Sequence, residues 1–263
     1  MARAERKPLS GEIAIVTGAS AGIGAATAHE LARRGAHVVL VARGADRLVA
    51  RAEAIVAAGG HALAIPGDVA DPPRVAEVVR QVMDRFGRVD ILVNNVGGGA
   101  FAPLTLAPEA ISRMIDANLL GGILLTRAVL PGMIERRQGA IIAVGAVSGA
   151  VALDPLYSAT KFGLRGFTLS VRRQVAGTGV TVSVVSPGFI RTEPMSRRRL
   201  FVPGAEVVAR RIADLVRRPR REVYVPRFYR AAVWVEQTAP WVWDLVARTG
   251  VMGQAPHPGR VEE

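Results

Sequence analysis

Tyr157 and Lys161 stand four residues apart in the segment Pro155-Leu-Tyr-Ser-Ala-Thr-Lys161-Phe-Gly. That spacing puts both side chains on one face of a helix. A phenol beside an ammonium group can do acid–base chemistry. The cation favours phenolate, and a tyrosine tuned in this way passes a proton near neutral pH. The choice of lysine is informative in itself. Lys7 and Lys161 are the only lysines, and the other 32 of the 34 basic residues are arginine. A chain built on arginine has a chemical reason for lysine at 161. A lone Tyr-x-x-x-Lys also occurs on ordinary helix surfaces, so the weight of the pair rests on what surrounds it.

A second constellation lies near the N-terminus, in Thr17-Gly18-Ala-Ser-Ala-Gly22-Ile-Gly24. It joins a predicted strand to a predicted helix. Gly18 permits a tight turn, while Gly22 and Gly24 let backbone approach a phosphate and let the helix pack on the strand. The helix N-terminus then offers free N–H groups and a positive dipole to a pyrophosphate. The whole turn, Ser20, Ala21 and Ile23 included, is expected to line a dinucleotide. The end of the second strand reads Val41-Ala42-Arg43-Gly44, with no carboxylate to hold ribose hydroxyls. Arg43 can meet a 2′-phosphate with its guanidinium fork, which favours NADP(H). NAD(H) remains the alternative, because Arg43 is also one arginine among many.

These groups need a frame. Short Val/Ile-rich runs alternate with helical patterns: strands at Glu12–Thr17, His37–Val41, His61–Ile65, Val89–Val93, Ala140–Val144, Val180–Val185 and Glu222–Val225. Helices are expected at about Ile23–Arg34 and Ala45–Ala58, from Asp71 as N-cap, at about Pro108–Glu135, and around Tyr157 and Lys161. Pro131 is expected to kink the long helix or end it early. Continuous apolar strands suit a parallel sheet covered on both faces. The fold class is α/β: a doubly wound parallel sheet of about seven strands with helices on both faces. No linker or repeat interrupts it, so residues 1–263 read as one domain, with 191–263 a basic lid and tail within it. Trp234, Trp241 and Leu245 fit one helix face, broken at Pro240.

Composition narrows the rest. The 263 residues carry no cysteine, which excludes disulfides, zinc–thiolate sites and cysteine nucleophiles, and no metal site is expected. That absence fits a reducing cytoplasm. The N-terminus has charge without an apolar core, unlike a signal peptide. No uncharged apolar run reaches the roughly 18–20 residues of a membrane span. The net charge is +12, of which residues 191–230 supply +8. Such a cluster suits a solvated face, an oligomer contact, an acidic ligand or an anionic membrane reached with the Trp-bearing tail. Nucleic acid is disfavoured, since no nucleic-acid module accompanies the charge.

With the glycine turn and the Tyr157/Lys161 pair together, the chain resembles the short-chain dehydrogenase/reductase family from about Glu12 to Pro226. The family's further motifs appear in order: Asp68-Val69, Asn94-Asn95-Val96-Gly97, Asn118, and Pro187-Gly188-Phe-Ile-Arg-Thr192. The resemblance implies a Rossmann-like domain and reversible hydride transfer between a ketone or aldehyde and an alcohol. Tyr157 would exchange the proton, and Lys161 would lower its pKa and hold the nicotinamide ribose. Asn118 would anchor a water linking Lys161 to solvent. Ile190 and Thr192 would meet the carboxamide, while Asp68, Val69, Asn95, Val96, Gly97, Pro187 and Gly188 would line the cofactor. A homodimer or homotetramer through the long fourth and fifth helices is also implied. The short segment after Thr192 suggests an open site for a bulky apolar small molecule.

One departure stands out. The family's serine, which holds the substrate oxygen, falls on Ala146. Ten residues separate Ala146 from Tyr157, fewer than the family's usual spacing. Ser148 is the nearest replacement, and a turn hydroxyl is its equally good reading. Two outcomes stay open: a working oxidoreductase with a rearranged site, or an NADP-binding protein that acts by association.

Overall fold

The computed structural model describes residues 9–100, 102–191 and 202–249. Seven strands form one parallel sheet: β1 (Ile13–Thr17), β2 (His37–Ala42), β3 (His61–Pro66), β4 (Ile91–Asn94), β5 (Gly139–Val144), β6 (Val180–Pro187) and β7 (Glu222–Val225). Their order across the sheet is β3-β2-β1-β4-β5-β6-β7, every neighbouring pair being parallel. The intervening helices are α1 (Gly22–Arg33), α2 (Ala45–Ala57), α3 (Pro72–Phe86), α4 (Pro108–Ile115), α5 (Gly121–Glu135), α6 (Pro155–Gln174) and α7 (Ala205–Arg217). Two more, α8 (Tyr229–Thr238) and α9 (Trp241–Arg248), follow the last strand.

The strands are apolar throughout because both faces are covered. Alternate side chains point to opposite faces. Ala14 and Val16 join Leu31, Leu40, Val208 and Ile212 in the core under α1, α2 and α7. Ile13 and Ile15 join Val39, Val78, Leu125, Ile141 and Val171 in the core under α3, α5 and α6. Glu12 and Arg217 pair at the amino edge, and Arg34 ties α1 to α7 through Asp214 at 3.0 Å.

The predicted strands and helices all appear, with ends moved by a residue or two. Three details differ. The Pro108–Glu135 helix runs on through Pro131, which faces solvent together with Arg127, whose carbonyl the proline leaves unbonded. The same helix carries a π-helical turn at Asp116–Leu120 that periodicity does not reveal. Asp71 occupies the N-cap position of α3, but its side chain caps nothing. By length and composition Pro108–Glu135 would pass for a membrane span, yet it packs against α3, α6 and the sheet.

Candidate active site

β1 has β2 on one side and β4 on the other, so the chain reverses its winding direction between β1 and β4. The crevice at the carboxyl ends of the strands there is where open parallel sheets take ligands. The glycine turn fills its rim. Gly18 and Gly22 have φ of 65° and 55°, the left-handed region that glycine enters freely. A side chain at Gly24 would collide with the carbonyl oxygen of Gly18. No side chain caps the start of α1 after Ala21, so its first amides and dipole face the crevice. Thr17 locks the turn to β4: its Oγ1 accepts from the Asn95 amide at 2.9 Å and the Val96 amide at 3.3 Å. Asn95 Nδ2 returns a bond to the Thr17 carbonyl at 2.9 Å. Ser20 and Ile23 are half-buried on the same turn.

Arg43 lies exposed one residue beyond β2, and its side chain makes no ion pair among the described residues. A free guanidinium there suits a phosphate. Asp68 is occupied in its own turn, where Oδ1 accepts from the Ala70 amide at 3.0 Å, and Val69 is buried against Gly121.

The Tyr157/Lys161 pair sits on α6. Asp154 caps this helix by accepting from the Tyr157 amide at 3.0 Å, and Ser158 Oγ accepts from the Asp154 amide at 3.1 Å. Pro155 in the first turn fixes the start. Lys161, one turn on, is buried to 2% exposure. Its Nζ donates to the Val144 carbonyl at 3.1 Å and fills the space that a side chain at Gly97 would take. The ammonium therefore lies at the carboxyl ends of β4 and β5. Burial pulls its pKa down from 10.5 to about 8.

Tyr157 departs from the sequence expectation. Its pKa is pushed up to about 12, by burial first and by the Asp154 carboxylate second. The Lys161 ammonium does not reverse this, since it lies 5.6 Å from the centre of the ring, over its face. At neutral pH the phenol holds its proton firmly.

Asn118 occupies the π-helical turn, 3% exposed. Its Nδ2 donates to the Gly98 carbonyl at 2.9 Å and to Thr160 Oγ1 at 3.2 Å, while Oδ1 accepts from the Gly98 amide at 3.1 Å. Thr160 in turn donates to the Tyr157 carbonyl at 2.8 Å. The loop after β4 and the first turn of α6 are thus held in one network. The extra residue of a π turn re-aims side chains at such places.

The segment after β5 is built differently. Ala146 is extended and buried, and presents no hydroxyl. A 3₁₀ turn, Val147–Gly149, follows directly. Ser148, in its middle, is half-buried, and its hydroxyl makes no hydrogen bond among the described residues. Val147, Ala150 and Val151 pack with Tyr224 and Val233, and with Tyr229 and Trp243 of the C-terminal helices. The Tyr229 ring occupies the space beside Gly188, and its hydroxyl accepts from the Phe189 amide at 3.4 Å. Pro187 closes β6, and the Gly188 amide donates to Val225 at 2.9 Å. The Ile190 side chain is in the core under α1 and α7, which leaves its main chain to meet a ligand. Thr192 and the arginines at 197–199 lie outside the described residues.

Sequence reasoning missed three contributors. Asp154 carried a usable signal, an acid directly before a proline at a helix start. Thr160 and Tyr229 carried none, because their roles come from contacts across the fold.

A glycine turn at the start of α1 and the Tyr157/Lys161 pair, its lysine buried, at the carboxyl ends of one doubly wound parallel sheet are the arrangement of a dinucleotide-dependent oxidoreductase. Comparison with known proteins agrees. Residues 12–201 match the family model described as short chain dehydrogenase, and the chain belongs to that family. A 3-oxoacyl-[acyl-carrier-protein] reductase, FabG, of Vibrio cholerae is 40% identical over 212 residues, 78% of this chain and 86% of the relative. A metagenomic short-chain oxidoreductase in complex with NADP is 38% identical, with a TM-score of 0.73 over 82% of this chain and 97% of the other. L-Sorbose reductase from Gluconobacter frateurii, complexed with NADPH and L-sorbose, is 30% identical, with a TM-score of 0.74 over 80% and 91% of the two chains. The chain is an NAD(P)-dependent oxidoreductase acting at carbonyl and CH–OH groups.

Proposed function

We propose that this protein is a cytoplasmic NADP(H)-dependent reductase of ketones or aldehydes, working through Tyr157, Lys161 and Asn118. The observation that carries the reading is the buried Lys161 ammonium between Gly97 and the Val144 carbonyl, on the same helix face as Tyr157. The NADP and NADPH complexes of related structures and the exposed Arg43 support the cofactor. The residues fit the group: Gly18, Gly22 and Gly24 with the uncapped start of α1 would take the pyrophosphate, and Arg43 the 2′-phosphate. When bound, the reduced nicotinamide supplies the hydride. Tyr157 gives its hydroxyl proton to the carbonyl oxygen as that oxygen becomes an alcohol. Burial keeps the phenol protonated at neutral pH, as a donor must be. Lys161 stabilises the phenolate left behind. Asn118 and Thr160 keep α6 in register with the loop after β4.

The substrate is a small carbonyl compound. The 3-oxoacyl reductase among the relatives makes 3-oxoacyl thioesters the first class to test. Ser148 is the nearest hydroxyl in sequence to take the oxygen that Ala146 cannot hold. Assembly as a homodimer or homotetramer is supported by the exposed Ile115, Leu153 and Phe162 on and beside α4 and α6. NADPH oxidation followed across a panel of ketones, with Tyr157→Phe as control, tests the reading. Wild type turns over, and the variant binds NADPH with turnover reduced at least 10²-fold. Equal turnover in the variant refutes the role of Tyr157.

A second reading, a cofactor-binding protein without turnover, is favoured by one observation: no hydroxyl at 146. Losing such a donor costs about 10²–10³ in rate. Ala146→Ser separates the two readings. A rate gain of that order locates the defect at this position, and no gain places the donor elsewhere.

A further inference from the structure

Past β7 the chain turns its apolar side chains outward. Four of the five most exposed large hydrophobic side chains among the described residues are Phe228 (68%), Trp234 (65%), Trp241 (65%) and Leu245 (55%). All four belong to α8, α9 or the residue before them. Their inner faces are already used: Val233 is buried, and Trp243 packs on the turn after β5. Trp234, Trp241 and Leu245 therefore do nothing for the core, and Phe228 touches it only through the Tyr229 ring at 4.5 Å.

Arginine accompanies them at helical spacing. Arg230 precedes Trp234 by four residues, and Arg248 follows Trp241 by seven and Leu245 by three. Residues at those offsets share a face. Arg227, Arg230 and Arg248 make no ion pair among the described residues. Asp244 is the acidic side chain exposed with them, while Glu236 is half-buried on the inner side of α8. Indole rings beside long cationic side chains suit the boundary between water and a bilayer. The ring sinks to the headgroup level, and the guanidinium reaches lipid phosphate.

We propose that the α8–α9 hairpin docks the protein on an anionic lipid surface, with Phe228, Trp234, Trp241 and Leu245 inserted and Arg227, Arg230 and Arg248 on the headgroups. A second copy fits the same face less well. In an isologous contact the patch meets itself, so a face with Arg227, Arg230 and Arg248 against Asp244 would bring two net-positive surfaces together. The proposal stands on surface chemistry alone, independently of the catalytic reading.

All three tryptophans of the chain are in this hairpin, at 234, 241 and 243, so intrinsic fluorescence reports on it directly. The full chain is mixed with vesicles of phosphatidylglycerol and phosphatidylcholine, or of phosphatidylcholine alone, at 50 and 300 mM salt. Docking predicts co-sedimentation with the anionic vesicles, a blue shift of emission, and at least tenfold weaker binding at high salt. The variant Trp234→Ser/Trp241→Ser/Leu245→Ser changes only exposed positions. It should keep the wild-type melting temperature and lose binding at least tenfold. Arg227→Gln/Arg230→Gln/Arg248→Gln should lose the preference for anionic lipid. The proposal fails if neither vesicle binds at 50 mM salt, or if both bind equally. It also fails if the triple serine variant converts a dimer to a monomer without changing vesicle binding, or if duplex DNA competes with binding that the variant leaves intact.

Discussion

Replacing Lys161 by methionine should make the protein inactive and, near neutral pH, more stable. The ammonium is fully desolvated, and its pKa falls from 10.5 in the unfolded chain to about 8 in the fold. The unfolded state therefore binds this proton more tightly than the folded state does. Stability rises with pH between about 8 and 10.5, and the cost of the buried charge is fully present below pH 8. From those two pKa values the cost is about 3 kcal/mol at pH 7 and about 2 kcal/mol at pH 9. Methionine fills similar space without charge. It also forfeits the bond to the Val144 carbonyl, a loss that does not vary with pH. Tyr157 adds nothing to the slope, because both its unfolded value of 10 and its folded value of about 12 lie above the window. The stability difference, variant minus wild type, should therefore shrink by about 1 kcal/mol from pH 7 to pH 9. Urea unfolding of both cofactor-free proteins at the two pH values measures it. A difference that stays constant across that range means the ammonium is not held in a desolvated site, and the argument for Lys161 as a tuned group fails with it.

Two further substitutions address Arg43 and the glycine turn. Arg43→Ala should weaken NADPH binding about 10–100-fold, as expected for a lost charge-assisted pair to phosphate, and leave NADH binding nearly unchanged; titration calorimetry with both nucleotides decides it. Gly24→Ala should lower stability by about 1–3 kcal/mol and abolish nucleotide binding, since the added methyl group meets the Gly18 carbonyl; thermal melts with and without NADPH would show both effects, and a normal ligand-induced shift would contradict the tight packing.

The sheet was legible because its strands are buried on both faces, so apolar residues run without interruption from Ile13 to Val16 and from Val38 to Val41. The glycine turn was legible because its chemistry is local: the residues that need the space are the glycines themselves. Tyr157 and Lys161 could be paired from spacing alone, but not the direction of the tyrosine's pKa. That direction depends on how deeply the turn of α6 is buried and on a cap residue three positions away, neither of which a spacing rule contains. The π-helical turn at Asn118 escaped because one extra residue in a turn does not disturb an apolar pattern already broken by Gly121 and Gly122. Pro131 misled for a related reason. A proline disrupts a helix by orphaning a carbonyl, and on an exposed face that carbonyl can be left to solvent.

The placement of Tyr229 has a consequence beyond packing. Its ring takes the room a side chain at 188 would need, and its hydroxyl grips the next amide, so the end of the chain is bolted to the span from Pro187 to Ile190. Force on the last two helices reaches that span through the Tyr229 ring. Shortening the protein ahead of Phe228 would thus release main chain at the edge of the reaction chamber as well as remove an appendage.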